Sequence, residues 1–108
     1  MMYMPDCLKA ITKLLEADLS RLKHHSDFNV GALSFCPKDL ANEIRKYIPS
    51  FDIIYKPDYR QAIADSWPKS LDDSVARNEW GWNPDYNIPK MVEDMIRILK
   101  ERNLKSKL

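Results

Sequence analysis

Glycine is scarce in this chain, which contains two glycines in 108 residues. A loop that cradles phosphate groups needs several closely spaced glycines, because only glycine lets the backbone approach a phosphate closely. Gly31 and Gly81 lie far apart, and neither belongs to a GxGxxG, Walker or GxSxG pattern. The sequence therefore excludes a glycine-rich phosphate loop and a nucleophile elbow within these residues.

An excess of one charge and a long hydrophobic run are also missing. The chain has 17 basic and 16 acidic residues, for a formal net charge of +1. Such a balance gives no electrostatic reason to expect nucleic acid or an anionic membrane surface as a partner. No apolar run approaches the roughly 20 residues of a membrane-spanning helix. We therefore predict neither a nucleic-acid partner nor a membrane.

Cysteine is sparse, and no metal-binding pattern is present. Cys7 and Cys36 are the only two cysteines, and the N-terminus has no features of a signal or transit peptide. Free thiols are therefore favoured over a disulfide. His24 and His25 are adjacent in a polar stretch without further ligands nearby, which favours surface residues over a metal site.

Hydrophobic periodicity and capping residues predict an α/β arrangement. Residues 28–33 and 51–56 have the composition of short strands, and a helix between them fits one right-handed βαβ unit. The prediction is a small two-stranded parallel sheet with about four helices, at residues 5–17, 36–48, 73–80 and 88–102. Two strands leave open edges, so residues 1–108 are expected to form one partial domain that packs against something else.

The segment 59–86 is the most distinctive part of the chain, because it holds all three tryptophans. Within it, Arg60 follows the end of a predicted strand, where ligands of α/β proteins gather. Its planar guanidinium suits a carboxylate or a phosphate. The alternative for Arg60 is a structural salt bridge to Asp58 or Asp65.

Trp67 is the second candidate, since it lies outside any periodic apolar face. It stands between Ser66 and Pro68, where the backbone is restrained. Its ring is predicted either to line a pocket or to anchor packing between lobes. The other two tryptophans flank Gly81 and are predicted to be packing residues. The acidic pair at 72–73 is interpreted as a helix cap rather than as an acid/base pair.

Several of these residues form a pattern that resembles a known family. The pattern is FNVG at 28–31, RQAIAD at 60–65, LDDSVAR at 71–77 and GWNP at 81–84. It is similar to the C-terminal part of extended short-chain dehydrogenases and nucleotide-sugar epimerases. The longer run YKPDYRQAIADSWPKSLDDSVAR, residues 55–77, most resembles the short-chain type of L-threonine 3-dehydrogenase.

The resemblance implies an activity that this chain supplies only in part. The family oxidises L-threonine to 2-amino-3-ketobutyrate with NAD and assembles as a homodimer. Its glycine motif, catalytic Ser/Thr and Tyr-x-x-x-Lys belong to an N-terminal Rossmann domain, and none of them occurs here. The resemblance therefore implies a substrate-side C-terminal lobe that is inactive alone and holds no catalytic, NAD-binding or metal-binding residue.

The resemblance also assigns candidate site residues and a location. Trp67 is the residue expected to wall the threonine pocket, with Tyr3 and Met4 as further candidates at the entry from the Rossmann domain. The arginine matching Arg60 contacts phosphate in epimerase relatives, whereas threonine carries no phosphate. The expected compartment is mitochondrial in a eukaryote and cytoplasmic in a bacterium. Two alternatives stay open: a truncated interaction module that pairs with a full-length subunit, and the substrate lobe of a nucleotide-sugar epimerase.

Overall fold

The computed structural model describes residues 1–105, and within them all regular secondary structure is helical. A 3₁₀ turn at Leu19–Arg21 follows the first of five helices. The helices are α1 (Met4–Leu15), α2 (Pro37–Arg45), α3 (Arg60–Asp65), α4 (Ser74–Trp80) and α5 (Ile88–Lys105). The four predicted helices are all present, with ends that differ from the prediction by a few residues.

The predicted two-stranded parallel sheet is wrong, because no strand occurs within residues 1–105. Residues 28–33 form neither helix nor strand, and side chains bond the Gly31 backbone groups that a neighbouring strand would use. The Gly31 N–H donates to Asp73, and the Gly31 carbonyl accepts from the indole of Trp82. Backbone–backbone bonding to this segment includes one antiparallel pair, in which Met1 and Leu33 exchange hydrogen bonds of 2.9 Å.

The second predicted strand, residues 51–56, fails for a similar reason. The Phe51 carbonyl accepts from the Arg45 guanidinium at 3.2 Å, and the Ile53 N–H bonds to the neighbouring Asp52 carboxylate at 2.9 Å. Most of this segment also belongs to a different compact unit from residues 28–33. The strand predictions for both segments are therefore wrong, because apolar composition does not specify strand pairing.

Helix α3 was missed, since residues 60–65 were predicted to be a connection. An Asp58 carboxylate oxygen accepts from the Arg60 N–H at 3.0 Å and starts the helix. Gln61 then donates to Asp65 one turn later at 2.7 Å. The helix-forming composition of RQAIAD and this i,i+4 pair were the available signals.

The chain divides into two compact units. The first comprises Met1–Ser34 and Lys56–Asp85, and the second comprises Phe35–Tyr55 and the chain from Tyr86 on. In the second unit α2 packs on α5, with Ala41, Met91 and Val92 buried. Asn87 caps α5 as predicted, by accepting from the Lys90 N–H at 3.0 Å.

The first unit has a small core built around two tryptophans. Trp80 ends α4, and Gly81 follows it in the left-handed conformation at φ 71°, as predicted from the helix stop. This turn brings Trp82 beside Trp80, with ring centroids 5.9 Å apart. Phe28 meets the Trp80 ring edge-on at 6.0 Å. Two small residues, Ala10 of α1 and Ala76 of α4, complete the buried cluster.

A polar hub at Gly31 joins three segments of this unit. The Trp82 indole donates to the Gly31 carbonyl at 2.7 Å, while Asp73, just before α4, accepts from the Gly31 N–H at 3.2 Å. Asp73 also accepts two hydrogen bonds from Arg77, at 2.7 and 3.0 Å. A Cβ at position 31 would lie 3.1 Å from the Asp73 carboxylate, so this close approach favours glycine. We call Gly31, Asp73, Arg77 and Trp82 the Gly31 hub.

The two tryptophans provide a matched test of the hub. Trp82 is 2% exposed and its indole N–H is bonded, whereas Trp80 is 9% exposed and its Nε1 has no partner among the described residues. We expect Trp82→Phe to lower the free energy of unfolding by about 1–3 kcal/mol more than Trp80→Phe, because it strands the Gly31 carbonyl. Urea denaturation of the two variants measures this difference. Equal losses would show that the indole–carbonyl bond contributes nothing beyond packing.

Candidate functional site

The most exposed aromatic surface of the first unit lies on α3. Tyr59, Ile63 and Trp67 are spaced four residues apart, so they follow one side of the helix and its flanking turns. Trp67 is 68% exposed, and no residue of α3 is buried. We call these three residues the α3 face. An aromatic and aliphatic surface of this kind is suited to contact with a ligand or another protein surface.

Arg60 begins α3 and is engaged by its neighbour Asp58. Its guanidinium donates to both carboxylate oxygens, with contacts of 2.7–3.1 Å. This bidentate pair lowers the pKa of Asp58 and raises the pKa of Arg60. The geometry corresponds to the structural alternative for Arg60 that the sequence left open. The Arg60 side chain is nevertheless 75% exposed.

The other two predicted site residues lie at the start of α1. Tyr3 is the N-cap residue, with extended backbone at φ −75° and ψ 144°, and Met4 is the first helical residue and is exposed. The four predicted residues thus fall into two pairs, one at the start of α1 and one at the two ends of α3. Their contact with a substrate stays a prediction. Sequence reasoning missed Tyr59 and Ile63, although their spacing from Trp67 is visible in the sequence.

The carboxylates near α4 are structural and ionised. Asp72 accepts from the Ser74 N–H at 3.0 Å, which lowers the pKa of Asp72 and fits the predicted cap. Burial alone would raise the pKa of Glu79, but hydrogen bonds from the His24 ring and from the His24 and Lys23 backbone lower it. A carboxylate with a lowered pKa is a poor proton donor near neutral pH.

The described residues also bear on metal binding and membrane insertion. Within residues 1–105, no three His, Cys, Asp or Glu side chains are grouped so that they could hold a metal ion. His24 is exposed, as predicted, and its ring also contacts Glu79 at 2.5 Å. In the described part of the chain no helix is long and apolar enough to cross a membrane.

Known proteins match this chain in both sequence and structure. The mitochondrial L-threonine 3-dehydrogenase of Sus scrofa is 48% identical over 97 residues, which cover 89% of this chain and 26% of the pig enzyme. An uncharacterized epimerase/dehydratase of Staphylococcus haemolyticus is 46% identical over 103 residues, covering 94% of this chain and 32% of that protein. No protein-family model matches.

A solved structure agrees with these sequence matches. A monomeric L-threonine 3-dehydrogenase from a metagenome, in its apo form, is 45% identical and superposes with a TM-score of 0.86. The match covers 95% of this chain and 33% of that one. The chain is a homologue of part of the L-threonine 3-dehydrogenases. The predicted resemblance is confirmed, and the chain spans about a quarter to a third of the length of the relatives it matches.

The hydrogen bonds to the Asp73 carboxylate give a prediction for the stability of this chain in acid. Hydrogen bonds from Arg77 lower the pKa of Asp73; partial burial opposes this effect, and the Gly31 N–H adds to it. A lowered folded-state pKa means that the stabilisation is complete above the unfolded value, near pH 4, and is lost as the pH falls through the folded value. We therefore expect the free energy of unfolding to decrease between about pH 5 and pH 2.

Asp73→Asn tests the origin of this acid sensitivity. At pH 7 the variant should lose about 1–3 kcal/mol, and its remaining stability should fall less steeply in acid than that of the wild type. Asp27→Asn is the control, because Asp27 is exposed and its positive φ of 62° also suits asparagine. Urea denaturation at a series of pH values measures both variants. An unchanged acid slope in Asp73→Asn would assign the effect to other carboxylates.

Proposed function

We propose that this chain forms the substrate-side, C-terminal lobe of an NAD-dependent L-threonine 3-dehydrogenase. The observation that carries the proposal is the agreement of sequence and structure with such enzymes over nearly the whole chain. The chemistry follows from the division of residues. The chain contributes exposed contact surfaces, and the acid/base and cofactor-binding groups are expected in the part of the relatives that it does not match.

Within this proposal the α3 face is the wall of the threonine pocket. Trp67 is held by a backbone hydrogen bond from its N–H to the Ala64 carbonyl at 3.1 Å, and Ser66 closes the same turn by donating to Ile63. These bonds fix the backbone that carries the indole while its ring stays exposed. A rigid aromatic surface orients a small substrate at little entropic cost and excludes water from it.

Arg60 and the start of α1 have supporting roles in the same proposal. Since Asp58 neutralises the guanidinium, Arg60 would fix the entry to α3 and need not contact the substrate. Tyr3 and Met4 would line the entrance from the remaining part of the enzyme. NAD, bound by that remaining part, would accept the hydride from threonine. No residue of this chain is assigned to the proton transfer.

A nucleotide-sugar epimerase or dehydratase lobe is the second candidate function. The relative from Staphylococcus haemolyticus carries that description and is nearly as similar as the pig enzyme. In this role Arg60 would bind a phosphate on the solvent side of its pair with Asp58. The homodimer predicted from the resemblance stays a prediction, and the metagenomic relative is monomeric.

A chimera tests the proposal directly. The region of the monomeric metagenomic dehydrogenase that matches this chain is replaced by residues 1–108, and NADH formation is followed with L-threonine. We expect activity in the chimera and an increase of about 10-fold or more in the KM for threonine on Trp67→Ala, with the KM for NAD unchanged. Tyr47→Ala, an exposed aromatic of the second unit, is the matched control.

Two results would contradict the proposed function. A folded chimera that binds a nucleotide sugar but not threonine would favour the epimerase lobe. A KM for threonine that does not respond to Trp67→Ala would remove Trp67 from the pocket.

The isolated chain gives a second prediction. Purified residues 1–108 mixed with threonine and NAD should form no NADH, because no proton-transfer or cofactor-binding group is assigned to this lobe. The absorbance of NADH is the measurement, and the active chimera is the positive control. NADH formation by the isolated chain would show that the division of roles is wrong.

A further inference from the structure

Helix α1 carries an exposed apolar stripe in addition to the residues that it packs on the core. Met4, Leu8, Ile11 and Leu15 recur at intervals of four, three and four residues, so they share one side of the helix. All four are exposed, with Leu8 at 59% and Ile11 at 55%. We call these four residues the α1 seam. An amphipathic helix normally buries such a stripe, whereas here it is left exposed.

The inward side of α1 is held by polar contacts, by the buried Ala10 and by Leu14, which is partly buried against the core. Asp6, only 1% exposed, accepts from the Asp85 N–H at 2.8 Å. Lys9 donates to the Asn83 carbonyl at 2.8 Å and pairs with Asp85 at 2.7 Å. Lys13 donates to the Gly81 carbonyl at 2.9 Å. These contacts fix the rotation of α1 about its axis, so the seam cannot turn inward without breaking all of them.

The spacing of the α1 seam fits another helix as its cover. Intervals of three and four residues form the narrow stripe that packs against a facing helix. No charged residue lies within the stripe, so the cover must be apolar where it touches the seam. The fixed rotation of α1 gives the seam a defined orientation, which is what a specific contact requires.

We infer that the α1 seam is the docking surface for the part of a full-length dehydrogenase that lies outside the match with this chain. This inference rests on the proposed function. The relatives extend well beyond the match, which covers 26–33% of their length, so they have ample chain to cover the seam. The seam on α1 is the surface of the lobe on which that remaining part packs.

A second copy of this chain is a poorer occupant on grounds of area. α1 has 12 residues and is about 18 Å long. Two such helices in contact bury much less than the roughly 800 Å² per partner of a stable specific complex. A larger partner can cover the seam together with other exposed apolar residues of the same unit, such as Leu19 and Val75.

The test compares the isolated chain with the chimera of residues 1–108 and the monomeric metagenomic dehydrogenase. Hydrogen exchange of the α1 amides should be at least 10-fold slower in the chimera than in the isolated chain. Ile11→Glu should leave the melting temperature of the isolated chain unchanged. In the chimera it should lower the melting temperature by about 5 °C or more, because the carboxylate is then buried without a partner.

His25→Glu is the matched control for Ile11→Glu. It adds the same carboxylate at an exposed position of the same unit, away from the seam, and should change neither protein. Equal α1 exchange in chain and chimera, or a melting temperature of the chimera that ignores Ile11→Glu, would overturn the inference. A dimeric isolated chain that becomes monomeric on Ile11→Glu would also overturn it and assign the seam to a second copy.

The outcome is separable from that of the proposed function. A folded chimera with protected α1 amides but no threonine oxidation would support the docking surface and contradict the dehydrogenase assignment. An active chimera whose α1 amides exchange freely would do the reverse.

Discussion

The first unit depends on how the non-helical segment around Gly31 is held. In a β-sheet, the backbone N–H and carbonyl of such a segment would bond to a neighbouring strand. Here the Asp73 carboxylate and the Trp82 indole bond to those groups of Gly31 instead. Burying backbone groups without such partners costs more than most side-chain contacts return. The Gly31 hub therefore explains how the backbone of a non-helical segment is hydrogen-bonded within a helical unit. It also ties together the segment before α4, α4 itself and the residue after the Gly81 turn.

The hub has a consequence for the surfaces of the unit. The hydrogen bond to Gly31 positions Trp82 and the segment Gly81–Asp85. Backbone groups of this segment then bond to side chains of α1. The α1 side chains that make these bonds are Asp6, Lys9 and Lys13. Because they face the segment, the α1 seam faces outward. The α3 face is exposed in the same unit. A unit whose polar side chains bond internally while apolar side chains are exposed is suited to packing within a larger protein.

The sequence predicted the parts of the structure that depend on local signals. Asn87 as a cap and Gly81 as a left-handed stop are confirmed because each depends on a few neighbouring residues. The sheet was wrong because strand pairing depends on distant partners, and residues such as Asp73 occupied the places where those partners were expected. Helix α3 was missed because one and a half turns give almost no periodic signal.

The candidate site was only partly predictable from the sequence. Trp67 and Arg60 were identified as candidates from their residue types, their positions and the family resemblance. The pairing of Arg60 with Asp58, rather than with Asp65, is established only by the structure. The outward direction of the α1 seam was not predictable, since periodicity shows that a helix has an apolar side but not which way it faces. That direction was set by buried Asp6 and by two lysines, through contacts with residues more than sixty positions away.

The two hydrogen bonds at Gly31 are expected to act together in organising the first unit. A double-mutant cycle with Asp73→Ala and Trp82→Phe, measured by urea denaturation at pH 7, tests this coupling most directly. Residues of one network should show a coupling energy of about 0.5–3 kcal/mol, because loss of either bond releases the segment that the other one holds. Strictly additive losses in free energy of unfolding would contradict the claim and reduce the hub to two independent contacts.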